Sequence, residues 1–336
     1  MKLLAIETSC DETAFAVLEA KGGLKSPKLK VIQNLVASQI KIHRPFGGVV
    51  PNLAKREHIK NLPILFKKIG DVEDMDVIAV TVGPGLEPAL WTGITFAKEI
   101  AKKYKKPLLG ANHLEGHLYS FLLPSQKSKN PKRDRMFPAI GLVVSGGHTI
   151  LLKMDSLTKW SKIGETRDDA VGEAYDKVAR MLKLPYPGGP EVEKLAKSGN
   201  PDAINFPRPM IHHKNYDFSF SGIKTSVLYY LRDNPDCKPA DVAASFQKAA
   251  VEVLVAKAMR AAREYSAKSV ILAGGVAANK FLRKSLEKET SKTGIKLFVP
   301  DFDFNTDNAA MIGAAAYINV LKKKRYKLVA RGNMNI

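Results

Sequence analysis

The chain has 336 residues, 45% of them hydrophobic and 26% charged, a composition that excludes an intrinsically disordered protein. Its 53 lysines and arginines against 33 aspartates and glutamates leave a net charge of +20, which suits a polyanionic partner, although a generally basic surface explains it equally well. Two distant cysteines exclude a disulfide framework, and no apolar run reaches the ~20 residues of a membrane span. We therefore expect a soluble, cytoplasmic protein.

The first elements are two predicted strands and a polar turn. Residues 3–6 and 14–18 are apolar, and the acidic turn 7–13 separates them. A later apolar strand, 77–82, runs through Gly83-Pro-Gly85 into a helix. This order of parts is typical of a βαβ-type lobe.

His113-Leu-Glu-Gly-His117 is the first motif that carries chemistry. Two histidines four residues apart on a helix lie on one face and can reach one metal ion. Helix packing produces the same spacing, so the pair alone does not establish a metal site. The order is not the H-E-x-x-H of metalloproteases, because the glutamate is third rather than second.

The second half repeats the plan of the first. A polar linker at 124–137 is followed by a strand, turn and strand over 139–154. The strand 269–273 then runs through Gly274-Gly275 into a helix predicted from about 278 to 290. The sequence therefore predicts two βαβ-type lobes with glycine turns at their strand ends, where open α/β sheets bind ligands.

Two glycine turns in this half are candidate anion sites. Ser145-Gly-Gly-His-Thr149 lies at a hairpin tip, where exposed N–H groups can bind phosphate or where a tight turn merely requires glycine. Ala273-Gly-Gly-Val-Ala-Ala-Asn279 joins a strand to a helix and resembles the adenosine-side loop of the actin and sugar-kinase superfold. It is not a Walker A motif, because no Gly-Lys-Ser/Thr follows.

Acidic residues provide the remaining candidates. Residues 164–177 are predicted to form a helix with Asp169, Glu173 and Asp176 near one face, either as a solvated stripe or for ribose recognition. Asp307 precedes an apolar helix, and it is either a metal ligand or the helix N-cap. The densest lysine run, residues 102–106, is expected close to the histidine pair and to the phosphates of a polyanionic partner.

Together these motifs resemble the family of tRNA N6-adenosine threonylcarbamoyltransferases in its bacterial form, formerly called O-sialoglycoprotein endopeptidases. The motifs are colinear over nearly the whole chain. They include Ile6-Glu-Thr-Ser-Cys-Asp-Glu-Thr13, Gly83-Pro-Gly-Leu86, His113-Leu-Glu-Gly-His117, Val143-Val-Ser-Gly-Gly-His-Thr149, Gly172-Glu-Ala-Tyr-Asp-Lys177, Phe206-Pro-Arg-Pro-Met210, Asp217-Phe-Ser-Phe-Ser-Gly222, Ala273-Gly-Gly-Val276 and Thr306-Asp-Asn308.

The resemblance implies an α/β fold of the two-lobed actin-like ATPase and sugar-kinase type, with a duplicated βαβ core. The predicted regions are a first lobe at 1–123, a linker at 124–137, a second lobe at 138–321 with an insertion at about 160–239, and a basic tail at 322–336.

The resemblance also implies site residues. His113, His117 and Asp307 would hold one divalent metal ion, with Fe²⁺ as the preferred ion and Zn²⁺ as the alternative. Asp11 and Glu12 would supply the catalytic acid or base. The donor, threonylcarbamoyl-AMP, would be bound by Val143, Val144, Ser145, Gly146, Gly147, Asp176, Gly189, Glu193 and Asn279.

The implied reaction is transfer of the threonylcarbamoyl group to the exocyclic amine of adenosine 37 in tRNAs that read codons beginning with adenine. The implied partners are tRNA, a paralogous non-catalytic subunit and a P-loop ATPase. A metallopeptidase, and a non-catalytic nucleotide-binding paralogue acting as a partner subunit, are the alternatives.

Overall fold

The computed structural model describes residues 1–123 and 136–336, so most of the predicted linker lies outside the described residues. The chain divides into two compact units, Met1–Lys129 with Pro300–Ile336, and Asn130–Val299. Each unit contains a five-stranded mixed sheet within the described residues.

The sheet of the first unit has the order β3-β2-β1-β4-β5. Its strands are β1 (Lys2–Glu7), β2 (Glu12–Lys21), β3 (Lys28–Ser38), β4 (Val77–Gly83) and β5 (Leu108–Asn112). β1 pairs antiparallel with β2 and parallel with β4, and β5 continues parallel to β4. β4 is buried along its whole length, as expected for a parallel strand covered on both faces.

The sheet of the second unit repeats this order as β8-β7-β6-β9-β10. Its strands are β6 (Ala139–Val144), β7 (Thr149–Met154), β8 (Trp160–Glu165), β9 (Ser269–Ala273) and β10 (Lys296–Phe298). β6 pairs antiparallel with β7 and parallel with β9, as β1 does with β2 and β4. The two sheets are therefore built to one plan, as the sequence predicted.

Ten α-helices accompany the sheets among the described residues. They are α1 (Ile40–His43), α2 (Pro51–Ile69), α3 (Glu87–Lys103), α4 (His113–Tyr119), α5 (Val171–Met181), α6 (Gly188–Ala196), α7 (Ser221–Asp233), α8 (Pro239–Glu264), α9 (Lys280–Thr293) and α10 (Ala309–Leu321). Each unit has its own buried apolar cluster. No helix in residues 1–123 and 136–336 is long and apolar enough to cross a membrane.

Three predicted boundaries differ from the structure. Residues 160–165 form β8 and pair with β7, so they belong to the core sheet rather than to an insertion or to a helix from residue 164. The helix begins only at Val171, after a turn. α10 packs on β1, β2 and β5, which joins residues 300–336 to the first unit, whereas the sequence assigned 300–321 to the second lobe.

Candidate active site

The carboxyl ends of three parallel strands position the histidine pair of the first unit. α4 begins immediately after β5, and Asn112 caps it: the Asn112 Oδ1 accepts hydrogen bonds from the backbone N–H of Leu114 at 2.8 Å and of Glu115 at 3.2 Å. This N-cap satisfies donors that the first helical turn leaves unpaired. It fixes the direction in which α4 leaves the sheet.

Both imidazoles converge on Asp307. The Asp307 Oδ1 lies 3.5 Å from the Nε2 of His113 and 3.1 Å from the Nε2 of His117. The two rings are 4.6 Å apart and nearly perpendicular. α4 and α10 approach closely at Gly116, where a Cβ would lie 3.0 Å from the Ile312 side chain, and this contact brings Asp307 to the histidines.

Asp307 is not the N-cap of α10, which the sequence left open. Asn308 fills that role, because its Oδ1 accepts a hydrogen bond from the Met311 N–H at 3.0 Å. Asp307 therefore precedes the helix with its carboxylate directed at the two rings. The structure therefore excludes the N-cap alternative for this residue, and its role as a metal ligand stays a prediction.

A buried carboxylate orients the first imidazole from behind. The Nδ1 of His113 lies 3.1 Å from the Glu7 Oε2 and 3.0 Å from the Ser9 Oγ. Glu7 is fully buried and also accepts hydrogen bonds from the Thr81 hydroxyl and the Ser9 N–H. A carboxylate at Nδ1 holds the imidazole proton there and leaves the Nε2 lone pair for a metal ion.

The residues present fit one divalent metal ion. One ligand atom from each of His113, His117 and Asp307 lies within 4.8 Å of the others, compared with about 3.4 Å between ligands around a tetrahedral zinc ion. The Nδ1 of His117 is buried without a hydrogen bond among the described residues, and its Nε2 lies against the Asp307 carboxylate. Three protein ligands would leave a further coordination position for substrate or water, as in catalytic sites.

The electrostatics of the pair agree with this interpretation. Burial lowers the pKa of His117, so its ring is neutral at pH 7 and offers a lone pair. Burial also opposes the charged form of His113, but the carboxylates of Asp307 and Glu7 raise its pKa to about 9. A cation would therefore replace a proton on His113 that two carboxylates already favour, and it would meet a free lone pair on His117.

The predicted acid/base pair follows β1. Asp11 is buried and Glu12 is half-buried at the start of β2. Burial raises the pKa of Glu12 well above its usual range, and the negative charges of Asp11 and Asp307 act in the same direction. Glu12 therefore holds a proton more firmly than an exposed carboxylate does.

In the second unit the predicted glycine turn lies at the tip of the β6–β7 hairpin. The Ser145 N–H donates to the His148 carbonyl at 2.8 Å, and the Ser145 hydroxyl accepts from the His148 N–H at 3.1 Å. A Cβ on Gly146 or Gly147 would meet no described atom within 4 Å. Neither glycine has a positive φ, so open space beside the backbone distinguishes them, not a left-handed conformation.

Close packing gathers other glycines around this tip. Gly274, at φ +95°, would place a Cβ 2.2 Å from the Val144 carbonyl oxygen, and a Cβ on Gly172 would lie 2.5 Å from the Ser145 carbonyl oxygen. Only glycine fits at such approaches. The hairpin tip, the loop after β9 and the start of α5 therefore meet at the carboxyl ends of β6 and β9.

The other predicted donor residues are linked to the same region. The Asp176 Oδ1 accepts from the Gly188 N–H at 2.7 Å, which fixes the start of α6, and Gly189 has open space beside it. Glu193, one turn farther on α6, accepts from the Lys280 N–H at 2.8 Å. Asn279 caps α9 through Leu282 and donates to Gln247 at 2.8 Å. Its amide is therefore already engaged in holding the loop.

Comparisons with known proteins bear on this arrangement. The model of the family tRNA N6-adenosine threonylcarbamoyltransferase matches residues 30–314. The tRNA N6-adenosine threonylcarbamoyltransferase of Thermosipho africanus (strain TCF52B) is 48% identical over 324 residues, 94% of each chain. That of Clostridium perfringens (strain SM101 / Type A) is 47% identical over 343 residues, 99% of this chain and 97% of the relative.

The chain belongs to this family. Its members are named for threonylcarbamoyl transfer to the N6 atom of adenosine in tRNA, and the enzyme class predicted from the sequence is confirmed. Solved structures of HypF give TM-scores of 0.60 and 0.58 at 17% and 13% identity, and the chain covers 48% and 47% of their lengths. That likeness concerns the fold alone. Together with the duplicated sheets, it confirms the actin-like ATPase and sugar-kinase superfold.

The structure changes two sequence predictions about charged residues. Asp169 and Glu173 are occupied by Lys177, at 2.7 and 2.8 Å, so they form an ion-paired surface stripe rather than a ribose site with Asp176. The lysine run 102–106 precedes β5, whereas His113 follows it. Five strand residues, about 16 Å, separate the two ends, so the expected proximity was wrong.

Glu7 and Ser9 are site residues that the sequence analysis did not single out. They belong to the same polar turn as Asp11 and Glu12, but only the pairing of β1 with β4 and β5 reveals that this turn lies beside His113. Their place at the carboxyl end of a buried strand was an available signal. Glu115, between the histidines, faces away from Asp307 and pairs with Asn319 and Lys324.

Proposed function

We propose that this chain transfers the threonylcarbamoyl group from threonylcarbamoyl-AMP to the N6 amine of adenosine 37 in tRNAs that read codons beginning with adenine. The observation that carries the proposal is the convergence of His113, His117 and Asp307 in a chain of the threonylcarbamoyltransferase family. We propose Fe²⁺ as the ion at this cluster, with Zn²⁺ as the alternative. When bound, the ion supplies Lewis-acid stabilisation of oxygen charge that develops during transfer.

The residues of the second unit are proposed to hold the donor. Backbone N–H groups of Gly146 and Gly147 would bind the phosphate, because nothing covers the two glycines among the described residues. Ser145, whose own N–H donates to the His148 carbonyl, would hold the turn beside them. Val143 and Val144 support this turn from the end of β6. The nucleoside side would be lined by Asp176, Gly189, Glu193 and Asn279. Here the Glu193 carboxylate already joins α6 to the start of α9.

The bond changes define what the first unit has to supply. The adenine N6 attacks the carbamoyl carbon, the bond from that carbon to the phosphate oxygen breaks, and AMP departs with the electron pair. The amine must lose a proton. Glu12 is the proposed base, supported by Asp11, because a buried carboxylate with a raised pKa binds a proton well.

The acceptor tRNA is proposed to contact the exposed lysine row of α9, formed by Lys280, Lys284, Lys288 and Lys292. Four residues advance the helix by about 6 Å, so the row presents charges at regular intervals from Asn279 onward. Like charges at this spacing weaken a helix by about 0.2–0.5 kcal/mol per pair. A phosphate backbone would relieve that repulsion.

The partners proposed for the reaction are a paralogous non-catalytic subunit and a P-loop ATPase, as the family resemblance implies. A cytoplasmic location fits a tRNA substrate. No observation favours a metallopeptidase: Glu115, which would have to act as the base between the histidines, is fully buried and paired with Lys324 at 2.8 Å.

The decisive experiment supplies purified chain with synthetic threonylcarbamoyl-AMP, Fe²⁺ or Zn²⁺ and tRNA, with and without the partner subunits. Mass spectrometry of the digested tRNA should find threonylcarbamoyladenosine at position 37. A tRNA with guanosine at that position is the matched control and should stay unmodified. Release of AMP without any modified nucleoside, in every combination, would contradict the proposal.

A further inference from the structure

The C-terminal segment 322–336 lies across the carboxyl ends of β4 and β5. The Arg331 N–H donates to the Val82 carbonyl at 2.9 Å, and the Gly332 carbonyl accepts from the Gly85 N–H at 3.1 Å. The Asn335 carbonyl accepts from the Asn112 side chain at 3.0 Å. The segment predicted as a basic tail is therefore hydrogen-bonded to the edge of the sheet that bears the histidines.

The strands are shaped to receive this segment. A Cβ on Gly83 would lie 2.1 Å from the Arg331 carbonyl oxygen, and a Cβ on Gly110 would lie 3.1 Å from the Tyr326 Cβ. Gly110 and Tyr326 also form an isolated antiparallel bridge. Since a larger residue at Gly83 would displace the segment, β4 and the segment are matched in shape.

Two of these contacts lead directly to the histidine helix. Asn112 caps α4 with its oxygen while its nitrogen donates to Asn335, so the segment fixes the orientation of the cap. Glu115, between His113 and His117, is fully buried, and its two oxygens accept from Lys324 at 2.8 Å and Asn319 at 2.8 Å. Without Lys324, that carboxylate would remain buried with its charge uncompensated.

A third contact reaches the support of His113 from the other side. The segment holds Gly85 through Gly332, and the next residue, Leu86, donates its N–H to the Ser9 carbonyl at 2.8 Å. Ser9 in turn contacts the Nδ1 of His113 at 3.0 Å. The segment is thus connected to the N-cap of α4, to its buried acid and to the loop behind its first histidine.

We infer that the C-terminal segment holds the two histidines in metal-binding geometry and that Lys324 is a positioning residue for the metal site. The inference rests on the proposed metal role of His113, His117 and Asp307. Lys324 touches no ligand itself and acts through Glu115. Loosening the segment should therefore weaken metal binding while the sheet and its core remain folded.

The test uses the full chain, stripped of metal and titrated with Co²⁺ by calorimetry and by its visible absorption spectrum. Lys324→Met and a chain that ends at Gly332 should each raise the Co²⁺ dissociation constant about tenfold or more and alter the spectrum. Lys324→Arg should restore most of the affinity. Lys327→Met, an exposed lysine of the same segment, is the matched control and should bind like the parent chain.

The outcomes separate this inference from the proposed function. If the parent chain binds no Co²⁺, the metal site itself is wrong. If the parent chain binds and both altered chains bind equally well with the same spectrum, the positioning role of the segment is wrong. Circular dichroism and thermal unfolding show whether Lys324→Met folds. The truncated chain keeps the Lys324–Glu115 pair, so it tests the segment even if Lys324→Met does not fold.

Discussion

In the first unit β1 ends at Glu7, and β5 is followed directly by the helix that carries His113 and His117. All three side chains are ionisable and buried. In the second unit the equivalent strand β6 leads to Ser145-Gly-Gly147, and β9 leads to Gly274-Gly275. The strand order and pairing are the same in both sheets. The chemistry at the corresponding edge is opposite, with imidazole and carboxylate in one unit and bare backbone in the other.

This difference suits one scaffold to the two kinds of ligand proposed above. Side chains with lone pairs, held by a buried carboxylate at their far nitrogen, select a cation. Backbone N–H groups with open space beside them select an anion such as phosphate. The sheet provides only the edge, and the residues placed immediately after each strand decide what binds there.

The largest expected effect comes from removing an imidazole from the first edge. His117→Ala should abolish stoichiometric metal binding and reduce threonylcarbamoyl transfer by about 1,000-fold or more. The reason is that His113 and Asp307, the two remaining ligands, no longer chelate the ion firmly. AMP binding, proposed for the second unit, should be unchanged. Metal analysis, the transfer assay and AMP calorimetry on one preparation measure all three.

His212→Ala is the control for that experiment, because His212 is an exposed histidine outside both edges. It should retain metal and activity. A His117→Ala protein that still carries one metal ion per chain would contradict the metal site proposed at the first edge.

The second expected effect fills the open space at the other edge. Gly146→Val would place a branched side chain where the phosphate is proposed to approach, in a position that now meets no described atom within 4 Å. AMP and donor affinity should fall at least about tenfold, or about 1.4 kcal/mol, while Co²⁺ binding stays the same. Gly23→Val, at an exposed glycine with equal open space, is the control. Unchanged AMP affinity in folded Gly146→Val would contradict the phosphate site.

Much of this comparison was visible in the sequence, because it depends on local order. The alternation of apolar strands with glycine or polar turns predicted both sheets and the position of the hairpin tip 145–148. The spacing of His113 and His117 predicted a common helix face. These features are set by neighbours in the chain, which is the information that periodicity and turn composition contain.

Long-range contacts account for what the sequence analysis missed. The helix expected over 164–177 begins only at Val171, because residues 160–165 pair with β7 instead. Glu7 lies beside His113 because β1 pairs with β4 and β4 pairs with β5, although these strands lie far apart in sequence. The sequence analysis expected the lysine run 102–106 close to the histidines, but this run precedes the start of β5, whereas the histidines follow the end of β5. Local pattern contains no measure of which edge a helix end reaches.

A third prediction compares two lysine groups for tRNA binding. Lys284 and Lys288 are exposed on α9 with no ion pair among the described residues, whereas Lys102 and Lys103 lie at the end of α3, away from the strand ends that carry the histidines. Replacing Lys284 and Lys288 together by Gln should reduce the slope of log K against log salt by about 1.4 to 1.8, or about 0.7–0.9 per phosphate contact. Titration of tRNA at several salt concentrations measures it.

The matched pair Lys102→Gln with Lys103→Gln should leave that slope unchanged. If the two double variants behave alike, α9 has no special part in tRNA binding, and the excess of positive charge acts as a diffuse field. If only the α3 pair alters the slope, the tRNA contacts the end of α3 rather than α9.

The smallest expected effect concerns a buried charge in the second unit, which lies apart from either ligand edge. Lys257 on α8 is fully buried and donates to the backbone carbonyls of Asp217 and Asn215. Its ammonium lies 5.7 Å from the centre of the Phe218 ring. Carbonyl oxygens and a ring compensate the charge only in part, whereas His113 and His117 of the first unit each lie beside a carboxylate.

Burial, with the nearby charge of Arg260, lowers the pKa of Lys257 to about 8 from 10.5. Between these two pH values the unfolded chain binds more protons than the folded protein, so the contribution of Lys257 to stability rises with pH. The cost of the buried charge is present in full below pH 8 and disappears above about pH 10.5. The free energy of unfolding of the parent chain, minus that of Lys257→Met, should therefore increase by on the order of 1–2 kcal/mol between pH 7 and pH 10. Taking this difference cancels groups that titrate in both proteins.

The exposed Lys268→Met is the control for loss of one positive charge and should give a flat difference. A flat difference for Lys257→Met as well would mean that the carbonyl oxygens and the Phe218 ring compensate the buried ammonium as fully as water does.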